Sequence, residues 1–242
     1  MSEAASLLDV RDLSAGYGET IAVRDLSLSV DAGRTAVLIG PNGHGKTTLL
    51  RVLSGLLKPV RGEIRLAGER IDGRTAERIA EMGIVHVMQG DGLFPDMSVE
   101  ENLLMGAFPA SSWSARRAAA ARVYDLFPQI RERRSQRART LSGGERRLVA
   151  LGRGLMREAR LLLIDEPSLG LAPVMIDTVY RAIREIRERL DTTVLLVEEN
   201  FTHIAGIADV VHVIEMGGIV RSGSFEELAA DRTVVETYLG TL

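Results

Sequence analysis

The apolar positions of this chain fall into short continuous runs separated by polar turns. A run of four or five apolar residues that is bounded by turn residues predicts a buried strand. Four such runs are present, at residues 35–39, 84–88, 161–164 and 193–197. Two further apolar stretches, 210–214 and 218–221, flank a short link and predict a hairpin.

Other segments have the period of a half-exposed strand or of a helix. Residues 21–30 alternate apolar and polar positions, and residues 7–13 do so more loosely, which predicts two strands near the N-terminus. The spacing from 99 to 130 is helical, with an interruption near Pro109, and 225–239 predicts terminal helices. Strands therefore mix with helices along the chain, which favours an α/β fold.

Composition narrows the function classes. The chain has 242 residues and a net charge of −3, so it has no basic field for binding nucleic acid. Cysteine is absent, which rules out disulfides and fits a reducing compartment. No apolar run approaches the ~20 residues needed to cross a bilayer, and the first residues lack the pattern of a secretory signal. These features predict a cytoplasmic location.

A glycine-rich loop connects the apolar run 35–39 to a helical pattern. It reads Gly40-Pro41-Asn42-Gly43-His44-Gly45-Lys46-Thr47-Thr48. Between a strand and a helix, the motif G-x-x-x-x-G-K-[ST] is a phosphate-binding loop, in which backbone N–H groups and the helix start face one anion. We expect Lys46 to neutralise the β and γ phosphates of a nucleotide, and Thr47 to complete the shell of a Mg²⁺ ion.

Lysine usage supports this interpretation over that of an ordinary glycine-rich turn. Of 30 basic residues, only Lys46 and Lys58 are lysines. A compact ammonium fits a tight loop that a planar guanidinium would overfill.

Three further stretches carry chemistry. Leu141-Ser142-Gly143-Gly144-Glu145 opens a helix with Ser142 at the N-cap, which favours a second anion site, although a capped helix alone is the plainer alternative. Asp165 and Glu166 end an apolar strand, where one carboxylate can hold Mg²⁺ and the next can orient a water. Tyr17, between two glycines, is as compatible with stacking on adenine as with packing at a strand end.

The phosphate loop, Gln89, residues 141–145 and the carboxylate pair occur in one order, with 24 residues from Leu141 to Asp165. Together they resemble the ATP-binding cassette of ABC transporters, over nearly the whole chain. The resemblance implies a P-loop NTPase (RecA-like) α/β core, 1–89 and 158–242, with an N-terminal antiparallel β region. It also implies an inserted helical subdomain at 90–157, which carries residues 141–145 as the family's signature.

The resemblance also implies roles and partners. Such cassettes pair head to tail, so that each ATP lies between one subunit's phosphate loop and the other's signature. By analogy Tyr17 stacks on adenine, Gln89 senses Mg²⁺ and faces the membrane partner, Asp165 helps to hold the metal, and Glu166 polarises water. The partners implied are a second ATPase subunit or a copy of this chain, transmembrane permeases and, indirectly, an extracytoplasmic solute-binding protein. The cassette would act at the inner face of the cell membrane.

Within that family, residues 165–173, 99–107 and the tail 238–240 resemble the second ATPase subunit of branched-chain amino-acid importers. Importers of urea and short amides use closely related subunits, so the solute stays open. A soluble ABC-type ATPase acting on ribosomes or DNA is a further alternative. One cassette without a long coiled-coil insertion favours the transporter.

The chain departs from the family's pattern at three positions. Ala172 replaces a common aspartate, and His44 stands where a small residue is usual. Glu199 stands where most cassettes carry a switch histidine near the γ-phosphate, and a cassette that binds ATP without turnover therefore remains an alternative. If Glu199 is part of the catalytic set, its carboxylate must turn away, take up a proton, or either pair with an arginine or share the water shell of the metal.

Overall fold

The computed structural model describes residues 6–107, 113–232 and 234, and these residues form two units. The first unit contains residues 6–86, 160–165, 192–232 and 234, and the second contains 87–107, 113–159 and 166–191. The expected segments near Pro109 and at 238–240 lie outside the described residues.

The strands are β1 Ser6–Tyr17, β2 Thr20–Asp31, β3 Thr35–Ile39, β4 Arg61–Leu66, β5 Glu69–Arg70, β6 Ile84–Val87, β7 Leu161–Asp165, β8 Thr193–Glu198, β9 Val210–Glu215 and β10 Gly218–Gly223. The helices are α1 Lys46–Leu53, α2 Ala76–Glu81, α3 Val99–Met105, α4 Arg116–Leu126, α5 Pro128–Arg131, α6 Gly143–Gly154, α7 Pro173–Leu190 and α8 Phe225–Ala230. Two 3-10 turns occur at Ala138–Thr140 and Phe201–Ile204.

Two sheets form around the apolar runs. One has four strands in the order β2-β1-β4-β5, with antiparallel pairing, and the other has six in the order β10-β9-β3-β8-β7-β6. In the second sheet β3 runs parallel to both β8 and β9, and β7 runs parallel to β8. Every residue of β3, β7 and β8 is buried, as continuous apolar strands in a parallel sheet require. The α/β class and the N-terminal antiparallel region are therefore confirmed.

The second unit is built mainly from helices. Helix α6 packs against α3 and α7, and its buried residues include Leu148, Val149 and Leu151. Helix α7 begins with a proline in its first turn, which suits that position because no intrahelical bond needs its missing N–H. Residues 166–191 group with this helical unit, whereas the sequence-based division assigns them to the core.

Among the described residues, no helix has both the length and the apolar character that crossing a membrane demands.

Candidate functional site

The phosphate loop leaves the end of β3 and enters α1 directly. Gly43 and Gly45 have φ values of 82° and 97°, which is the left-handed region that favours glycine. A Cβ on Gly45 would also lie 2.4 Å from the carbonyl oxygen of Ala22, so a larger residue is excluded twice. Gly45 precedes α1 without a side-chain cap, which leaves the first N–H groups of the helix available to an anion.

Lys46 lies inside the loop rather than on its surface. Only 3% of the residue is exposed, and its Nζ donates hydrogen bonds to the carbonyl oxygens of Gly40 at 2.7 Å and Pro41 at 3.1 Å. These bonds hold the ammonium across the beginning of the loop, where phosphate charge is expected.

Thr47 and Asp165 meet although 118 residues separate them. Thr47 begins α1 with Lys46, Asp165 ends β7, and the hydroxyl of Thr47 donates to Oδ1 of Asp165 at 3.2 Å. Asp165 is 2% exposed. A hydroxyl and a carboxylate are hard oxygen donors of the kind that bind Mg²⁺, which commonly completes its shell with phosphate and water. The donor set therefore fits the metal expected from the sequence.

Glu199 also reaches the phosphate loop. It follows β8, and the pairing of β8 with β3 aligns Glu198 with Ile39 at the end where the loop starts. The side-chain amide of Asn42 donates to Oε2 of Glu199 at 3.0 Å. The partner of Glu199 is therefore a neutral amide, which was not expected from the sequence.

His44 contacts the turn between β9 and β10. Its Nδ1 accepts a hydrogen bond from the backbone N–H of Met216 at 3.3 Å, so Nδ1 is the unprotonated ring nitrogen in this arrangement.

The second unit contains a separate polar pair. The side-chain amide of Gln89 donates to Oε2 of Glu166 at 2.8 Å, and Glu166 is 4% exposed. Glu166 has a φ of 44°, an unusual conformation for a residue with a Cβ. Such strain is retained where the surroundings impose it, and it fixes the direction in which the carboxylate leaves the chain.

Residues 141–145 form the start of α6 with reciprocal capping. The hydroxyl of Ser142 accepts from the N–H of Glu145 at 3.3 Å, and the carboxylate of Glu145 accepts from the N–H of Ser142 at 2.8 Å. Burial raises the pKa of Glu145, but the hydrogen bonds from Ser142 and the ion pair with Arg133 outweigh burial and leave the pKa below its ordinary value.

The comparison with protein families decides the assignment. The family described as ABC transporter matches residues 23–169, which is more than half of the chain. The chain belongs to the ABC transporter family. The ATP-binding cassettes of this family hydrolyse ATP, so this chain is an ATPase.

Individual relatives cover nearly the full length of the cassette. It is 40% identical over 234 residues to BraG, a high-affinity branched-chain amino acid transport ATP-binding protein of Pseudomonas aeruginosa, covering 97% of this chain and 100% of that protein. It is 33% identical to BraF of the same organism, covering 97% and 98%. The solved ADP conformation of an ATP-binding cassette of an ABC transporter has a TM-score of 0.86 at 27% identity, covering 98% and 99%. The P-loop NTPase fold is thereby confirmed.

Sequence reasoning missed how the cassette holds the loop that follows Gln89. Arg146 donates to the carboxylate of Asp91 at 2.7 Å, Arg147 bonds the carbonyl of Gly90, and Arg153 donates to the carbonyl of Gly92 at 2.7 Å. All three arginines project from α6. In the sequence they lie 55 to 61 residues from their partners in the loop. Hydrogen bonds to backbone carbonyls do not depend on the type of the accepting residue, so no sequence pattern predicts them.

A second missed residue is Asn102, which is fully buried in α3. Its side chain accepts from the N–H of Phe94 at 2.8 Å and donates to the carbonyl oxygens of Phe94, Met97 and Ser98. One side chain thus fixes the turn that leads into α3.

Proposed function

We propose that this cassette is the ATP-binding and ATP-hydrolysing subunit of an importer that takes up branched-chain amino acids through separate membrane permeases. The use of ATP rests on one observation above all, the bond that joins Thr47 of the phosphate loop to Asp165. The solute rests on the full-length likeness to the two Pseudomonas proteins.

In the phosphate loop, residues 40–48 bind the phosphates and Tyr17 stacks on the adenine. Lys46 exchanges its carbonyl partners for phosphate oxygens, which form stronger bonds because both groups are charged. Thr47 and Asp165 would hold Mg²⁺, which neutralises phosphate charge when it is bound.

Hydrolysis depends on Glu166. Its carboxylate orients the attacking water and takes up the proton that the water loses. The bond from Gln89 holds Oε2, so rotation of the carboxylate is restricted. Glu199 stands beside the loop, held by Asn42, where its negative charge opposes that of the bound phosphates.

Residues 141–145 act on the ATP of a partner cassette. The start of α6 presents Ser142 and the glycines to a γ-phosphate, and the capping interactions of Glu145 keep that helix start ordered. The partner is a second ATPase subunit or another copy of this chain. The assembly works at the cytoplasmic face of the membrane and receives its solute from an extracytoplasmic binding protein.

Uptake by the assembled importer tests this function. Proteoliposomes carrying the cassette with its permeases, ATP and Mg²⁺ should accumulate leucine when the solute-binding protein is supplied. Glu166→Gln keeps the shape of the side chain but removes the base, and we expect hydrolysis to fall by about 10²–10⁴-fold while ATP still binds. Uptake should fall in parallel.

Two results would contradict the proposal. Turnover at the parental rate in Glu166→Gln would place the base elsewhere. Uptake of urea or short amides in preference to leucine would replace the solute while leaving the ATPase in place.

A further inference from the structure

A side-chain hydrogen bond joins the N-terminal hairpin of the first unit to the helix that starts at the phosphate loop. The guanidinium of Arg51, in α1, donates to the hydroxyl of Tyr17 with 3.0 Å between Nη1 and Oη. The two residues are 34 positions apart, so the bond links distinct elements.

Tyr17 occupies the tip of a tight hairpin. It pairs with Thr20 across a two-residue turn, and a Cβ on Gly16 would lie 1.9 Å from the carbonyl oxygen of Thr20. The backbone around Tyr17 therefore has one close-fitting arrangement. The residue is 47% exposed, so a large part of its ring is accessible for stacking.

The backbone at Arg51 is also held in place by hydrogen bonds. Its carbonyl oxygen accepts from the N–H groups of Leu56 at 2.8 Å and Leu57 at 3.1 Å, and from the hydroxyl of Ser54 at 3.2 Å. Lys46 lies five residues earlier in the same helix, which is about 7.5 Å along the helix axis. One rigid helix thus carries the phosphate-binding lysine at its start and Arg51 in its last turn.

Within the part of the chain that the structure describes, no carboxylate forms an ion pair with Arg51. Other exposed arginines of this unit pair with acids, as Arg70 does with Asp72 and Arg78 with Glu81. Among the ion pairs of the described residues, Arg51 takes part in none, and its side chain bonds the phenol instead.

We propose that Arg51 is a positioning residue for the adenine end of ATP. By holding the hydroxyl of Tyr17, it keeps the ring at a constant distance from the phosphate loop. The ring can then stack on the adenine of a nucleotide while the loop binds the phosphates of the same nucleotide. This inference rests on the proposed function, in which Tyr17 stacks on adenine. Ordering the ring before ATP arrives lowers the entropy that binding would otherwise lose.

Calorimetry with two ligands tests the inference on the full chain. The ligands are Mg²⁺–ATP and Mg²⁺–tripolyphosphate, because tripolyphosphate occupies the phosphate loop but has no base to stack. Arg51→Gln and Tyr17→Phe should each raise the Kd for ATP by about three- to tenfold, the usual effect of one lost hydrogen bond. The Kd for tripolyphosphate should stay unchanged, and the double variant should bind ATP no more weakly than either single variant.

Arg78→Gln serves as the matched control. It removes the same positive charge from an exposed helix of the same unit, so it reports any general attraction of the protein for anions. In the assembled ATPase, Arg51→Gln should raise KM by the factor seen in the Kd and leave kcat as it was, because the base takes no part in the chemical step.

Three results would overturn the inference. Equal weakening of ATP and tripolyphosphate by Arg51→Gln would mean that only charge or folding is affected, and additive losses in the double variant would mean that the two residues act independently. A Tyr17→Ala variant separates this inference from the proposed function. If it weakens ATP alone while Arg51→Gln does not, Tyr17 stacks on adenine without help from Arg51; if Tyr17→Ala changes nothing, the adenine role of Tyr17 itself is wrong.

Discussion

The carboxylate of Glu199 opposes the binding of a phosphate in the neighbouring loop, because both groups are negatively charged. Its carboxylate is held at the phosphate loop by the amide of Asn42, which is a neutral group and cannot cancel the charge. Two like charges about 4 Å apart repel by about 4 kcal/mol at an effective dielectric constant of ~20. A phosphate bound in the loop therefore approaches a fixed negative charge that the fold places on this side.

Removing the negative charge of Glu199 should favour the binding or hydrolysis of ATP. We expect Glu199→Gln to raise the ATPase rate several-fold or to tighten ATP relative to ADP, because glutamine keeps an oxygen for Asn42 but carries no charge. Steady-state kinetics with both nucleotides measure the effect, and Glu81→Gln, on an exposed helix, controls for the change in net charge. A lower rate in both Glu199→Gln and Glu199→His would show that the carboxylate itself is catalytic.

The start of helix α6 illustrates what an element demands of its residues. Gly144 is buried, and a Cβ at this position would lie 1.9 Å from Cε and 3.0 Å from Cβ of Met175, in α7. The glycine is thus required by helix packing as well as by any anion that binds here. Gly143 is less confined, since its Cβ would lie 3.1 Å from the side chain of Leu171.

This packing predicts a pair of compensating changes. Gly144→Ala should lower the midpoint of thermal unfolding and the ATPase rate, because Met175 or the helix start must shift. Met175→Ala in the same chain should restore much of the midpoint by removing the clash, and Gly143→Ala should have the smaller effect of the two glycine variants. Independent, additive losses from Gly144→Ala and Met175→Ala would contradict this account.

At the level of elements, sequence reasoning succeeds where the signal is local. The run 35–39 predicts β3 with the observed bounds, because a strand covered on both faces is apolar throughout. The loop of residues 40–48 is equally local, since glycine, lysine and threonine act where they stand. Helix α7 was missed although Val179, Ile183 and Ile186 follow helical spacing on its buried face.

Contacts between distant residues divide into two kinds. The contact between Thr47 and Asp165 is predictable, because each residue belongs to a sequence motif and both are expected to bind the same Mg²⁺ ion. The bonds from Asn42 to Glu199 and from Arg51 to Tyr17 follow no spacing rule, since they depend on which strands align. Such contacts emerge only when the order and register of the strands are known.

At the scale of the whole molecule, a buried histidine links stability to pH. The hydroxyl of Ser54 donates to the carbonyl of Leu50, so it accepts from Nδ1 of His86, at 3.0 Å. Nε2 of His86 is buried and has no hydrogen-bond partner among the described residues. Burial, together with the nearby charge of Arg51, lowers the pKa of His86 from 6.5 to about 4.

The consequence is a loss of stability in mild acid. The unfolded chain takes up a proton at His86 below pH 6.5, whereas the folded chain does not until about pH 4. His86 therefore leaves the free energy of unfolding unchanged above pH 6.5. Below that pH it lowers the free energy of unfolding, by about 3 kcal/mol in total once the pH has fallen to 4. Urea unfolding at several pH values measures it, and His86→Gln should flatten the slope. An unchanged slope in that variant would assign the acid sensitivity to other groups.

The left-handed backbone at Glu166 bears on how the protein can evolve or be engineered. Glycine adopts a φ of 44° without the strain of a side chain, so a search that ranks variants by heat resistance alone favours Glu166→Gly to the extent that relief of this strain exceeds the loss of the buried bond from Gln89. That same change deletes the carboxylate on which turnover is proposed to depend. Selection for transport and selection for robustness thus pull in opposite directions at this one position, and libraries screened for durability should be counter-screened for ATP turnover.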